Sequence, residues 1–496
     1  MVFSSLSFIC VFLPLVFGAY ALVPSLKAKN GILIVVSLVF YAYGEPVYVL
    51  LMLASSLMNY AFGRLIARYS DKASKHRPLA SAGGGLAVPP TTGQPSSNVM
   101  PKLLLVASVV ANLAFLGVFK YAGMFVETVD ALLGQSWEVP LIALPIGISF
   151  YTFQAMSYVV DVYRKQVDAS HSYPRVLLYI SFFPQLIAGP IIKYHDVETQ
   201  LVSRALSVEG VALGLRRFTV GLAKKVLVAN TMAVVVDNIY SADLSQVNIL
   251  VAWVAALAYC LQIYFDFSGY SDMAIGLARI FGFRYKENFD YPYVSASIKE
   301  FWRRWHISLS TWFKEYLYIP LGGSRKGRAR TAFNKLVVFF CCGLWHGATW
   351  TFVLWGLFHG LFLMLEEFLP IKRLPKALGV LYALLVVAVG FVLFRADTIS
   401  QAGYLIAQMF TGFHFEAATT AFALRQLTPL FLVVFAAAVL ACLPVRAWIA
   451  RLVERRVARL RGFLSLGSFV LSFLALVLCI AVLSGGGYNP FIYFRF

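Results

Sequence analysis

The 24 residues from Val247 to Tyr270, VNILVAWVAALAYCLQIYFDFSGY, contain a single charged side chain, Asp266. A helix rises 1.5 Å per residue and needs about 20 apolar residues to cross a ~30 Å hydrocarbon core, so this run is long enough to span a bilayer. Runs of the same character recur at roughly 3–25, 31–43 (short), 46–63, 102–120, 139–160, 377–394, 428–445 and 463–485. They predict an all-α, polytopic integral membrane protein of about 10–12 transmembrane helices, with re-entrant and interfacial helices between them. Composition agrees: of 496 residues 60% are hydrophobic and 13% charged, with a mean hydropathy of +0.75. A soluble chain would carry about 25% charged residues. The first 25 residues lack a basic leader and run too long for a secretory signal, so they are expected to be a retained span.

Three stretches resist this parsing. Val176–Ile192 holds Pro184, Gly189 and Pro190, and such breaks are tolerated at membrane depth only where backbone is buried in protein or lines a cavity, which predicts a re-entrant element. Between Val211 and Val236, Arg216, Arg217, Lys224 and Lys225 interrupt the apolar run, which predicts an interfacial helix leading into a short crossing. Leu336–Phe368 reads either as one long tilted span or as two broken ones.

The 42 Lys and Arg exceed the 23 Asp and Glu, for a net charge of +19. The basic residues lie in short runs between apolar segments, which is the positive-inside pattern, and a nucleic-acid partner is disfavoured. Lys27/Lys29, Arg64–Arg77, Arg164/Lys165/Arg175, Arg303–Arg330, Lys372–Lys376 and Arg446–Arg461 are placed in the cytoplasm. Glu45, the Glu127/Asp130/Glu138 loop and the Asp237/Asp243 loop fall opposite, which puts the N-terminus and the C-terminal YNPFIYFRF outside. Ser81–Asn98, rich in Gly, Pro, Ser and Thr, reads as a flexible cytoplasmic linker. The six cysteines all lie in apolar runs without CxxC spacing, so neither a disulfide framework nor a metal site is expected.

Chemistry is expected from few residues. His346 lies about ten residues into the run VVFFCCGLWHG, ~15 Å deep at the helical rise and near the middle of the core. An imidazole there must face a cavity or find a partner, and two roles stay open: a functional group, or a neutral core histidine bonded to a carbonyl or to Thr349. If EFWRRWHISLSTWFKEYLYIP is helical, Trp302, Trp305, His306, Leu309, Phe313 and Tyr316 share one face. His306 is then either an inward-facing functional group or part of an interfacial anchor. His359, thirteen residues beyond His346, falls on another face and suits a structural role between helices. Asp266, near Ser268, Tyr270 and Asp272, is either a functional carboxylate or, with Asp272, the cap of a helix break at Ser268/Gly269. The loop GGSRKGRAR offers Arg325, Lys326 and Arg328 to an anion, a nucleotide phosphate or a lipid headgroup.

Six stretches in order, PIGISFYTFQAMSYVVDVYR (145–164), SFFPQLIAGPI (181–191), LQIYFDFSGYSDMAIG (261–276), ENFDYPY (287–293), FWRRWHISLSTWFKEYLYIPLGGSRKG (301–327) and GLWHGATWTFVLWGLFHG (343–360), resemble the membrane-bound O-acyltransferase family. Within it they are most similar to the branch that serves bacterial alginate O-acetylation. The resemblance runs from YGEP at Tyr43 to the terminal FIYFRF and implies one membrane-bound O-acyltransferase domain over residues 1–496, in which the Ser81–Asn98 linker has no counterpart. It implies that the WHG histidine, His346, is catalytic and that the RRWH histidine, His306, is its partner. Acyl transfer from a thioester to a hydroxyl needs a base, and an imidazole of pKa about 6.5, kept neutral by burial, suits that role. Asn334, near the start of the same run, is the candidate for orienting the acyl group.

The resemblance implies an acetyl donor on the cytoplasmic side, acetyl-CoA as substrate with no resident cofactor. It also implies a polysaccharide acceptor outside a bacterial inner membrane and a periplasmic or membrane-associated acetyltransferase partner protein, with membrane lipids around the chain. Two alternatives stand beside it: a D-alanyl transferase for teichoic acid fed by an acylated carrier protein, and a polysaccharide or lipid transporter.

Overall fold

The computed structural model describes residues 1–75, 99–134, 137, 143–445, 458–486, 489, 491 and 492. The Ser81–Asn98 linker, Arg77, Glu138, most of the Arg446–Arg461 cluster and most of the YNPFIYFRF end lie outside the described residues. Among the described residues every regular element is helical. In chain order these are α1 Phe8–Leu22, α2 Leu26–Ala42, α3 Tyr48–Lys75, α4 Val99–Leu133, α5 Ile148–Tyr163, α6 Tyr173–Ser181, α7 Tyr194–Val202, α8 Val208–Tyr240 and α9 Ile249–Ile280. There follow α10 Ile298–Arg304, α11 Ile307–Phe313, α12 Gly327–His346, α13 Trp350–Phe368, α14 Lys376–Arg395, α15 Ile399–Thr411, α16 Ala417–Gln426, α17 Pro429–Ala441 and α18 Ala458–Ser484.

Seven of the described helices are long and apolar enough to cross a membrane, or eight if α16 and α17, bent by 63° at their junction, form one span. That test of length leaves out three further runs of the sequence reading. The runs near 3–25, 31–43 and 139–160 fold as helices of 15, 17 and 16 residues, about 22–26 Å long, short of the ~30 Å core. The Val176–Ile192 stretch breaks after Ser181, makes one short turn at Phe183–Leu186, and is buried throughout, as irregular backbone at this depth requires.

Helices α8 and α9 form the centre. Gly214 and Gly221 on α8 face Gly276 and Gly269 on α9: a Cβ on Gly276 would sit 2.6 Å from the Gly214 carbonyl oxygen, and one on Gly269 2.7 Å from that of Gly221. Four absent side chains let two backbones touch, the close approach favoured between helices in lipid. The expected interfacial helix at Val211–Val236 is therefore corrected: α8 is a 33-residue helix, and Arg217, Lys224 and Lys225 turn toward α9. Lys225 pairs with Asp266 at 2.7 Å with both side chains buried. Lys224 and Arg217 pair with Asp272 at 2.7 and 2.6 Å, and Arg217 also grips Glu287. Three of the four cations that looked like interface markers thus meet carboxylates on the neighbouring helix, and Arg216 donates to Ser468 Oγ on α18 at 3.2 Å.

The two ends of the chain meet beside this pair. Asn489 donates to the Ser4 carbonyl at 2.9 Å, and the Ile492 amide donates to Asp266 at 2.8 Å.

Candidate active site

Helices α12 and α13 turn back on each other through Gly347, so Leu336–Phe368 is two helices, not one. The pair is tight because Gly343 and Gly356 meet face to face: a Cβ on Gly343 would lie 3.2 Å from the Gly356 Cα, and one on Gly356 3.1 Å from the Gly343 Cα. A Cβ on Gly347 would run into the Phe352 ring. The G-x-x-x-G of GLWHG is thus the contact face that brings the end of α12 against α13. His346 is the last residue of α12, and it is buried.

The His346 ring packs edge-on against Trp345, Trp355 and Phe394 at centroid distances of 5.0, 5.0 and 5.1 Å. With Trp345 it forms one wall of a cavity of about 180 Å³, whose other walls come from Lys120, residues 144–150 and Ile187. Trp345 is held by its neighbours: its indole N–H donates to the Ser149 carbonyl at 3.3 Å, and Phe150 and Phe153 pack on it at 5.0 and 5.6 Å. Below Phe153 the column continues through Trp312, stacked at 3.6 Å, and Tyr316, whose hydroxyl donates to Asp161 at 2.7 Å.

His306 stands on the other side of Trp345, at 6.0 Å between ring centroids. The expected continuous helix over this segment is corrected: α10 ends at Arg304, α11 begins at Ile307, and His306 between them takes the left-handed conformation, φ 44° and ψ 56°. The shared apolar face survives, since Trp302, Trp305, Leu309 and Phe313 are all buried. Asn288 holds the break together. Its backbone carbonyl accepts from the Ile307 amide at 2.9 Å, and its side-chain oxygen accepts from Ser308 N at 3.1 Å, from Ser308 Oγ at 2.9 Å and from His306 Nδ1 at 3.2 Å. Its amide nitrogen donates to Ser271 at 2.9 Å, and the Ser308 backbone N–H, which can only donate, fixes which way the amide faces. An amide oxygen only accepts, so the His306 proton sits on Nδ1 and Nε2 carries the lone pair. Among the described residues that buried Nε2 has no hydrogen-bond partner. His346 lies within electrostatic range of both His306 and Lys120. Two imidazoles thus flank one tryptophan in an apolar, aromatic enclosure.

The other expected residues fall elsewhere. Asn334 is twelve residues before His346 on α12, ~18 Å along the helix. Its amide donates to the carbonyls of Gly323 and Leu321 at 2.9 and 3.5 Å, bracing the glycine loop instead of touching the cavity. Arg325, Lys326 and Arg328 on that loop are exposed. Asp266 does not cap a break: α9 runs unbroken through Ser268 and Gly269, and the carboxylate is the partner of Lys225. His359 is buried between Trp302 and Trp355, at 5.1 and 5.2 Å, in the structural place expected of it. Sequence reading assigned no role to Lys120 or Asn288. The available signal was a single lysine inside the apolar stretch of α4, and an asparagine flanked by charges in ENFD.

The sequence model of the membrane-bound O-acyltransferase family matches residues 100–371, the part that contains Lys120, His306 and His346. The chain is 40% identical over 418 residues to the probable alginate O-acetylase of Azotobacter vinelandii, covering 83% of this chain and 78% of that protein. It is 33% identical over 440 residues to the peptidoglycan O-acetyltransferase of Helicobacter pylori, covering 81% and 78%. A weaker likeness, 25% over 272 residues, joins it to the teichoic acid D-alanyltransferase of Bacillus subtilis, covering 50% and 68%. With its membrane-length helices and two histidines around one tryptophan, the chain belongs to the membrane-bound O-acyltransferase family.

Proposed function

We propose that this enzyme moves an acetyl group from acetyl-CoA, on the cytoplasmic side of a bacterial inner membrane, to hydroxyls of an extracytoplasmic polysaccharide. The acceptor takes it directly or through a partner acetyltransferase. The observation that carries the reading is His346: a buried imidazole at the end of its helix, lining a cavity, with a second imidazole of defined tautomer across Trp345. The acceptor hydroxyl, or a relay group on the way to it, loses its proton to His346 as its oxygen attacks the thioester carbonyl. The C–S bond breaks, and the imidazolium returns the proton to the leaving thiolate, so one neutral imidazole serves as base and then as acid. Asn288 keeps the His306 ring in one orientation beside it. The exposed loop of Arg325, Lys326 and Arg328 offers charge to the donor's phosphates.

The likeness to an alginate O-acetylase and a peptidoglycan O-acetyltransferase over four-fifths of the chain favours acetyl and polysaccharide. The D-alanyl reading rests on half the chain at 25% identity and stands behind it. The purified protein in liposomes, given acetyl-CoA and an oligosaccharide acceptor, is expected to release free CoA thiol and acetylate the acceptor. A transporter would release none, and release only from a D-alanyl-loaded carrier would favour the D-alanyl reading.

A further inference from the structure

Lys120 differs from the cations of the α8–α9 pair and from Arg395. Arg217, Lys224, Lys225 and Arg395 each pair with a carboxylate within 2.7 Å. Among the described residues no carboxylate pairs with Lys120. Its Nζ instead donates to three oxygens: the Trp345 carbonyl at 2.5 Å, Ser149 Oγ at 3.1 Å and the His346 carbonyl at 3.3 Å. The next residue, Tyr121, donates to the Leu344 carbonyl at 2.7 Å. Three successive carbonyls at the end of α12 are thus taken by two neighbours on α4, from a π-helical turn at Gly117–Tyr121 that widens the helix where they project. Such turns recur at functional sites.

A cap on a helix C-terminus explains a donor there. It does not explain why the donor is a lysine on the wall of the cavity that His346 lines, with no carboxylate beside it among the described residues, because an ammonium there is costly and a neutral donor would cap as well. We propose that Lys120 and Ser149 form the oxyanion-binding element of acyl transfer at His346. The inference rests on the acyl-transfer reading above. When the acceptor oxygen bonds to the thioester carbon, the carbonyl π electrons move onto its oxygen, which becomes negative. The Lys120 ammonium exchanges its longest bond, to the His346 carbonyl, for that oxygen. Ser149, which accepts from Lys120, turns its own O–H to it. Collapse of the intermediate re-forms the carbonyl, expels the thiolate, and lets Lys120 return to the helix end. Preorganised donors of this kind are worth more in a water-excluded cavity than in water.

The test uses the full chain in liposomes, with kcat and KM for thiol release from acetyl-CoA and melting temperature measured together. Lys120→Met and Lys120→Gln are each expected to lower kcat about 10²–10³-fold with KM changed little, the usual loss on removing one oxyanion donor. Ser149→Ala should lose about tenfold, and Lys120→Arg should recover much of the loss. Gln separates charge from capping, because its amide still donates to the carbonyls. Wild-type kcat in Lys120→Gln, or losses in every variant that only follow the amount of folded protein, would overturn the proposal. If Lys120→Met does not fold, Ser149→Ala and Lys120→Arg still decide it. His346→Ala is run beside them: an inactive His346 variant with fully active Lys120 and Ser149 variants sinks this proposal alone, whereas an active His346 variant sinks the acyl-transfer reading itself.

Discussion

At His346 alanine removes one ring from a cluster of three aromatics, a local loss in a large helical body, and takes from the wall of a cavity the imidazole that shares it with Lys120. His346→Ala is therefore expected to insert normally and to lose at least 10²–10⁴-fold in acyl transfer, the range for a positioned acid or base. Near-normal acetylation in cells with normal protein levels would remove it from the mechanism. For His306 the backbone dictates the variant. A left-handed non-glycine residue costs about 1–2 kcal/mol, and asparagine carries that cost more lightly than alanine. His306→Asn should keep the α10–α11 turn and the fold while losing activity as deeply as His306→Ala. Residues that act as one unit give non-additive losses, so His306→Asn/His346→Ala should be about as inactive as the worse single variant. Retention of most activity in His306→Asn would leave His346 working without it.

Helix packing makes a different demand, that no atom stand between α12 and α13 at Gly343 and Gly356. Gly356→Leu is expected to force the two helices apart, destabilise by about 1–3 kcal/mol or more as overpacking does, and abolish activity by displacing His346. Gly403, with open space around its Cα on α15, is the control: Gly403→Ala should be neutral or slightly stabilising. Melting in detergent, followed by size-exclusion chromatography, compares the two. How much of this was legible depends on what sequence records. The place of His346 at the end of its apolar run follows from counting along one helix, and the structure makes it the last, buried residue of α12. The break at His306 left no trace in periodicity, because a single left-handed residue held by Asn288 returns the chain to the same buried face. Asn334 looked like a neighbour of His346 because both lie in one run, but ~18 Å of helix separates them. Lys120 reads as one lysine in an apolar run until the end of α12 is laid against it. Asp266 and Asp272 find their lysines and arginine on a different helix, and a single sequence does not record which helices touch.

For the molecule as a whole, basic loops set the orientation. Arg64–Lys75 is expected in the cytoplasm and Asp130 outside, so a cysteine at position 130 should react with an impermeant label from the periplasm while one at position 72 does not. The reverse would invert the protein. The meeting of Ser4 and Asn489 brings the ends of the described chain together beside the α8–α9 pair. Stability is expected to concentrate in the α8–α9 pair. Asp266→Asn leaves the Lys225 charge without its carboxylate and should cost about 3–5 kcal/mol, whereas Lys225→Met added to it should recover much of that loss. A double variant no more stable than Asp266→Asn would count against the pair as a closed unit.

The same pair constrains how the protein is made. Each isolated charge near the middle of a helix opposes entry into the bilayer by roughly 2.5–3.5 kcal/mol. Helix α8 emerges from the ribosome carrying Arg217, Lys224 and Lys225, and Asp266 and Asp272 follow on α9 after a connection of only residues 241–248. Until those carboxylates are synthesised, α8 is a poor candidate to leave the translocon for lipid. Once they arrive, the glycine seam and the ion pairs allow the two to leave as a hairpin whose charges are already neutralised. Biogenesis is therefore expected to wait at α8 for α9, so that the centre of the finished enzyme is also the step at which insertion is decided.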